Sequence, residues 1–144
     1  MKIAIGADHG AVELKAVLKE HFEKQGYEVT DFGTHGTQSV DYPDVAKEVC
    51  PHVVNGEFDY GVLLCGTGIG ISIAANKIDG VRAALLDNEF SARMAKIHNN
   101  ANVICMGGRV TGVEKAKSIA DAFFSVEFEG GRHQIRVDKI MSLE

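Results

Sequence analysis

Cys65-Gly66-Thr67-Gly68-Ile69-Gly70 follows the apolar run Gly61-Val62-Leu63-Leu64 and leads into Ile71-Ser72-Ile73-Ala74-Ala75-Asn76-Lys77. A short Val/Leu run stopped by glycines and resumed by an apolar stretch reads as buried strand, tight loop, then helix. Glycines at 66, 68 and 70 let the backbone turn sharply and approach a ligand closely, because no Cβ intervenes. The first N–H groups of the following helix have no intrahelical partner and point into the loop with the positive end of the helix dipole. The loop is therefore a cradle for negative charge, with Cys65 at its lip. A lone strand-end cysteine is ordinarily inert core, but reactive thiolates favour helix N-termini, and here the two readings balance.

Outward from this loop, the chain alternates strands and helices. Lys2 to Ala7 reads as a strand, and Leu14, Val17, Leu18, His21 and Phe22 form the stripe of an amphipathic helix ending near Gly26. Tyr27 to Phe32 is a second strand, broken by Gly33-Thr34-His35-Gly36. Pro43 suits the first turn of a helix whose apolar face is Val45, Ala46, Val49, Cys50 and Val53. Pro51 predicts a kink or break there. After the cysteine loop, a helix runs through Ile78 to Asp79-Gly80, followed by a strand over Val81 to Leu86. Asn88 to His98 reads as a helix and Asn102 to Met106 as a fifth strand closed by Gly107-Gly108. Val113, Ala116, Ile119, Ala120 and Phe123 mark a further helix, and Gly130-Gly131 precede a last one from about His133 to Leu143. This alternation predicts an α/β fold with a parallel sheet covered on both faces. Ligands of such sheets bind beyond the carboxyl ends of the strands.

Composition narrows the function classes. The 144 residues fit one domain, 1–144, with 45% hydrophobic and 24% charged residues and a net charge of −5. An acidic chain with scattered Lys and Arg lacks the electrostatic footprint of a nucleic-acid binder. Its apolar runs are too short to cross a bilayer, and Asp8-His9 arrive before a signal-peptide core could form. Three cysteines without a C-x-x-C pair suit a reduced, cytoplasmic setting.

Four loops are expected to meet at the carboxyl edge: Asp8-His9, Asp41-Tyr42, Cys65 to Gly70, and Gly107 to Arg109. Asp8 reads first as a helix cap and His9 as a turn residue or an anion donor. His98-Asn99 closes a helix, where an imidazolium is favoured and often structural. Arg132 and Arg136, four apart, share a helix face; such a face is usually a solvated surface, but the guanidinium forks also match a phosphate bidentately, and Glu129 could pair with one of them. The loop lacks the Gly-Lys-Ser/Thr ending of a P-loop, and its G-x-G-x-G spacing follows the third strand, unlike a dinucleotide fold despite Asp87 beyond it. A phosphatase-like arginine is absent, since Ile71 follows the loop. No His/Cys/carboxylate spacing suggests a metal.

Taken together, Gly6-Ala7-Asp8-His9-Gly10, Asp41-Tyr42-Pro43, Cys65 to Lys77, His98-Asn99-Asn100-Ala101-Asn102-Val103 and Glu129 to Arg136 resemble the B-type ribose-5-phosphate isomerases and the related allose- and galactose-6-phosphate isomerases. The matching stretches span nearly the whole chain in order. The resemblance implies a Rossmann-like three-layer α/β/α sandwich with a five-stranded parallel sheet. It implies a homodimer or dimer of dimers with sites between subunits, the final helix packing on the partner. Some relatives use a glutamate base in this loop; Cys65 with Ile71 resembles the cysteine-base branch. By that resemblance Cys65 is the base and Thr67 its support, while His98, with Asp8 or Thr67 at the hydroxyls, opens the sugar ring. The Gly66, Gly68, Ile69 and Gly70 amides face the oxyanion, Asn99 orients the substrate, Tyr42 walls the site, and His9, Arg109, Arg132 and Arg136 hold the phosphate. No cofactor or metal is expected. A six-carbon sugar phosphate isomerase and a non-catalytic sugar- or nucleotide-binding domain are the competing readings.

Overall fold

The computed structural model describes residues 1–144. Its strands are β1 (Lys2–Ala7), β2 (Glu28–Asp31), β3 (Tyr60–Cys65), β4 (Ala83–Leu85) and β5 (Val103–Gly107). Its helices are α1 (Val12–Lys24), α2 (Tyr42–Val54), α3 (Ile69–Ala75), α4 (Glu89–Ile97), α5 (Val113–Phe124) and α6 (Arg132–Met141), with a 3-10 turn over His9–Ala11. All strand pairs are parallel, in the order β2-β1-β3-β5-β4. The chain steps from β1 outward to β2 and then returns to the other side of β1 for β3. The switch in strand order, where such sheets open a crevice, therefore falls between β1 and β3.

Side-chain alternation along the strands divides the core. Ile3, Ile5, Val62, Leu64, Ile104 and Met106 face one side, where Leu14, Leu18 and Phe22 of α1 and Ile119 and Phe123 of α5 cover them. Ala4, Leu63, Cys65, Val103 and Cys105 face the other side, against Val45, Val49 and Val53 of α2 and Ile71 and Ala75 of α3. Burial on both faces explains why β3 reads as an unbroken apolar run. The layers make the α/β/α sandwich that the resemblance implied.

Three boundaries differ from the sequence reading. Helix α2 runs unbroken through Pro51. Pro51 and Lys47, whose carbonyl loses its partner, both lie on the exposed face, while the buried stripe holds the helix to the sheet. Helix α3 ends at Ala75, not Ile78, because the Asn76 side chain leaves to pair with β4: its Nδ2 donates to Ala83 O (2.9 Å) and its Oδ1 accepts from Ala83 N (2.8 Å). That side chain occupies part of the β4 edge. Strand β4 is only three residues long, shorter than the Val81 to Leu86 of the sequence reading. No helix is long and apolar enough to cross a membrane.

Candidate active site

At the carboxyl edge the strand register ends with Ala7 beside Leu64 and Cys65 beside Gly107. The segments leaving β1, β3 and β5 thus start side by side. Asp8 N–H donates to Leu64 O (3.1 Å), Gly108 N–H to Cys65 O (2.8 Å) and Arg109 N–H to Gly66 O (2.9 Å). Glycine is required for this closeness: a Cβ on Gly107 would collide with the Thr67 main chain. Gly68, at φ +80°, takes the left-handed conformation that starts α3.

Cys65 ends β3 with its side chain in the α2/α3 half of the core, 4% exposed. Its sulfur accepts the Gly68 N–H at 3.2 Å, so the loop delivers a main-chain donor to the thiol. The other two cysteines differ in setting. Burial pushes the Cys50 thiol up to about 12 and the Cys105 thiol well above its usual range, which marks both as core residues. Thr67 is exposed, and its Oγ1 accepts from Ile69 N–H (3.2 Å). The Tyr42 ring lies over Gly70, where a Cβ would come within 2.5 Å of it.

Asp8 is buried and caps the turn, its Oδ1 accepting from Gly10 N–H (2.8 Å). His9 follows, with Nδ1 accepting from Val40 N–H (3.2 Å). Gly10, Thr37, Gly108, Thr111 and the first turns of α1 and α5 join His9 around a cavity of about 520 Å³. A second cavity of about 300 Å³ is lined by Thr67, Ile69, Asp87 and Gly107. Cys65 lines neither. The exposed Arg109 side chain lies across Gly66, its Nη1 3.2 Å from where a Cβ would stand.

The remaining expected residues lie at the opposite end of the sheet. His98 follows α4 and precedes β5, whose first residue, Val103, pairs with Gly61 at the start of β3. Cys65 is four residues further along β3, so roughly 13 Å of strand separates the two edges. Asn99 lines a cavity of about 220 Å³ with Arg82, Ala101 and Ile140 at this amino edge. Glu129 N–H donates to Ile97 O (3.2 Å), bringing the start of α6 to the end of α4. There the His98 and His133 rings stack, with centroids 4.3 Å apart and planes at 16°.

His133 is 5% exposed and its Nε2 has no hydrogen-bond partner. Burial, followed by the neighbouring His98, holds its pKa below the usual histidine value. Sequence periodicity gave no sign of this stack. Arg132 and Arg136 are exposed on α6, as their spacing suggested. Glu129 approaches neither of them; its carboxylate instead lies 3.9 Å from His133 Nε2. Helix α6 buries only His133 and Val137 and leaves Ile135 and Ile140 exposed. No group of three or more His, Cys, Asp or Glu side chains is placed to hold a metal ion.

The sequence pattern of the ribose/galactose isomerases matches residues 3–140. The chain is 47% identical over 143 residues to ribose-5-phosphate isomerase B of Escherichia coli, covering 99% of this chain and 96% of that one. It is 44% identical over 141 residues to D-erythrulose-4-phosphate isomerase of Pectobacterium atrosepticum, covering 97% and 93%. Among solved structures, Clostridium thermocellum ribose-5-phosphate isomerase B superposes with a TM-score of 0.98 at 52% identity, covering 99% of this chain and 97% of that one. Over nearly its whole length, this chain belongs to the ribose/galactose isomerase family.

Proposed function

We propose that this protein interconverts D-ribose 5-phosphate and D-ribulose 5-phosphate through a cis-enediolate, with Cys65 as the base. The observation that carries the reading is the Cys65 sulfur receiving a main-chain N–H inside a glycine loop, beside Asp8, Gly10 and Arg109. The Cys65 thiolate takes the C2 proton of the open-chain aldose and returns it to C1, while a hydroxyl proton moves from O2 to O1. The transfer is internal, so atoms and electrons balance without an external oxidant. The expected amide set narrows: Gly68 and Ile69 donate to Cys65 and Thr67 instead, which leaves the Gly66 and Gly70 amides for the enediolate oxygens, where each well-aimed donor is worth about 3 kcal/mol. Thr67 supports the base. Substrate reaches the buried sulfur when the Arg109 side chain, which makes no hydrogen bond of its own, moves from Gly66 toward the phosphate.

The separation of the two edges supports a homodimer, or dimer of dimers, with composite sites. His98, Asn99, Arg132 and Arg136 cannot reach the Cys65 of their own chain across the sheet. A second copy, receiving the weakly held α6, would place them over its partner's loop. There His98 with Asp8 opens the sugar ring and Asn99 orients it. The arginines, with His9, hold the phosphate, so that binding energy remote from C2 positions it. Tyr42 walls the site. No cofactor is assigned a role, and we place the enzyme in the cytoplasm.

Exchange of the C2 proton of ribose 5-phosphate in D₂O, followed by NMR, tests the reading. Cys65-dependent exchange and ribulose 5-phosphate formation are expected. Binding without exchange would instead favour a sugar-binding domain. Comparing kcat/KM for ribose 5-phosphate, erythrulose 4-phosphate and allose 6-phosphate fixes the sugar length.

A further inference from the structure

Residues 33–40 cross from β2 to α2 as a strap that walls the cavity containing His9. Thr37 lines that cavity directly. Residues 35–39 are exposed, and none of their backbone N–H groups donates within the chain. The strap is held at its two ends. At the first, Gly33 O accepts from Ala7 N–H and Thr34 N–H donates to Ala7 O (2.7 and 2.6 Å). At the second, Val40 N–H donates to His9 Nδ1.

The first end is fastened by a buried charge. Lys15, on α1, is 1% exposed, and its Nζ donates to both carboxylate oxygens of Asp31 at 2.7 Å. Asp31 Oδ1 also accepts the Gly33 N–H (2.8 Å), and His35 sits 3.4 Å from Nζ. A lysine in an otherwise apolar helix face is costly to bury unless its partner is fixed. Here the fixed partner is the carboxylate at the root of the strap. The pair thus ties α1, whose first turn lines the same cavity, to the segment that ends on His9.

The bond at the second end selects a tautomer. An imidazole nitrogen that accepts an N–H carries no proton, so neutral His9 holds its proton on Nε2 and offers that nitrogen as a donor. We propose that Lys15 and Asp31 are positioning residues for substrate phosphate. Their ion pair sets the strap, and the strap holds His9 in its Nε2–H form facing the cavity. This rests on the phosphate-binding role assigned to His9 under the functional reading above.

Two variants test it. Lys15→Met with Asp31→Leu removes both charges together, which buried pairs tolerate far better than loss of one partner. Val40→Pro removes the donor to His9 and leaves the pair intact, so it serves if the double variant does not fold. Both are expected to raise KM for ribose 5-phosphate about tenfold, the size of one lost hydrogen bond to a charged group, with kcat within about twofold. Imidazole ¹⁵N NMR, with His9 assigned by its loss in His9→Gln, is expected to show the Nε2–H tautomer in the parent and a tautomer mixture in both variants. An unchanged KM, or a His9 signal that keeps its tautomer without the strap bond, overturns the proposal. The spectrum needs no substrate. A parent protein that does not isomerise ribose 5-phosphate would therefore sink the functional reading, while the strap is judged by the tautomer alone.

Discussion

The two edges of the sheet differ in the groups they hold and in how firmly they hold them. The carboxyl edge holds a sulfur, a capped aspartate and a run of main-chain donors, all fixed by short hydrogen bonds between adjacent loops. The amino edge holds a stacked histidine pair and two exposed guanidinium groups on a helix that buries just two of its residues. One edge is tightly cross-bonded and, on the proposed function, supplies a proton acceptor beside oxyanion donors. The other is loosely attached and supplies cations. A parallel sheet keeps these halves apart in any single chain, because its strand ends cannot bend back on themselves. On the proposed function, the difference teaches that each chain carries half-sites and that a second copy would complete them.

The sharpest way to break that picture is at the sulfur. Cys65→Ala should lower kcat by about 10³-fold or more, the scale of losing a positioned base, with the circular dichroism spectrum unchanged. An active variant would remove the base from the rigid half. The composite site predicts a second, more distinctive result. Inactive Cys65→Ala and inactive His98→Ala chains, mixed and allowed to exchange subunits, should regain about a quarter of parent activity, since half the dimers are hybrids with one intact site. If both halves of a site came from one chain, mixing would restore nothing.

Smaller effects sharpen the contrast. Arg132→Ala should raise KM roughly tenfold or more by removing a guanidinium from phosphate, with a lesser change in kcat. A normal KM would take Arg132 out of the site. Gly107→Ala should destabilise the rigid edge by about 1–3 kcal/mol, measured by urea denaturation, because its Cβ has nowhere to go beside Thr67. The smallest effect belongs to His133. Its folded pKa lies below the unfolded value near 6.5, so acidification protonates the unfolded chain first. Stability should therefore fall as pH drops below about 6.5 and level off once the folded form also protonates. His133→Gln should flatten that part of the profile.

Much of the fold was legible because β3, β5 and the helix stripes are buried in patterns that periodicity reads directly. Pro51 misled because a proline on a solvated face, late in a helix pinned by Val45, Val49 and Val53, costs little more than one exposed hydrogen bond. The end of α3 was illegible because it depends on where the Asn76 side chain finds a partner, and that partner is Ala83, on a different element. Of the candidate site, the glycine loop and the Arg132/Arg136 spacing were visible, each being local. The His98–His133 stack was not, since it joins residues 35 positions apart across the sheet's amino edge. Lys15 was equally silent. Only its contact with Asp31 separates it from an ordinary helix lysine.

By itself, the sequence determined the alternation of elements, the cysteine loop and the charged face of the last helix. These follow from steric and hydrophobic rules that act over a few residues. Only the tertiary structure decided that Cys65 and His98 stand at opposite ends of the sheet, and that Cys65 is bonded by Gly68 while Cys50 and Cys105 are sealed in core. Strand order and register set those relations. They depend on which distant segments pair, and nothing local in the chain encodes that.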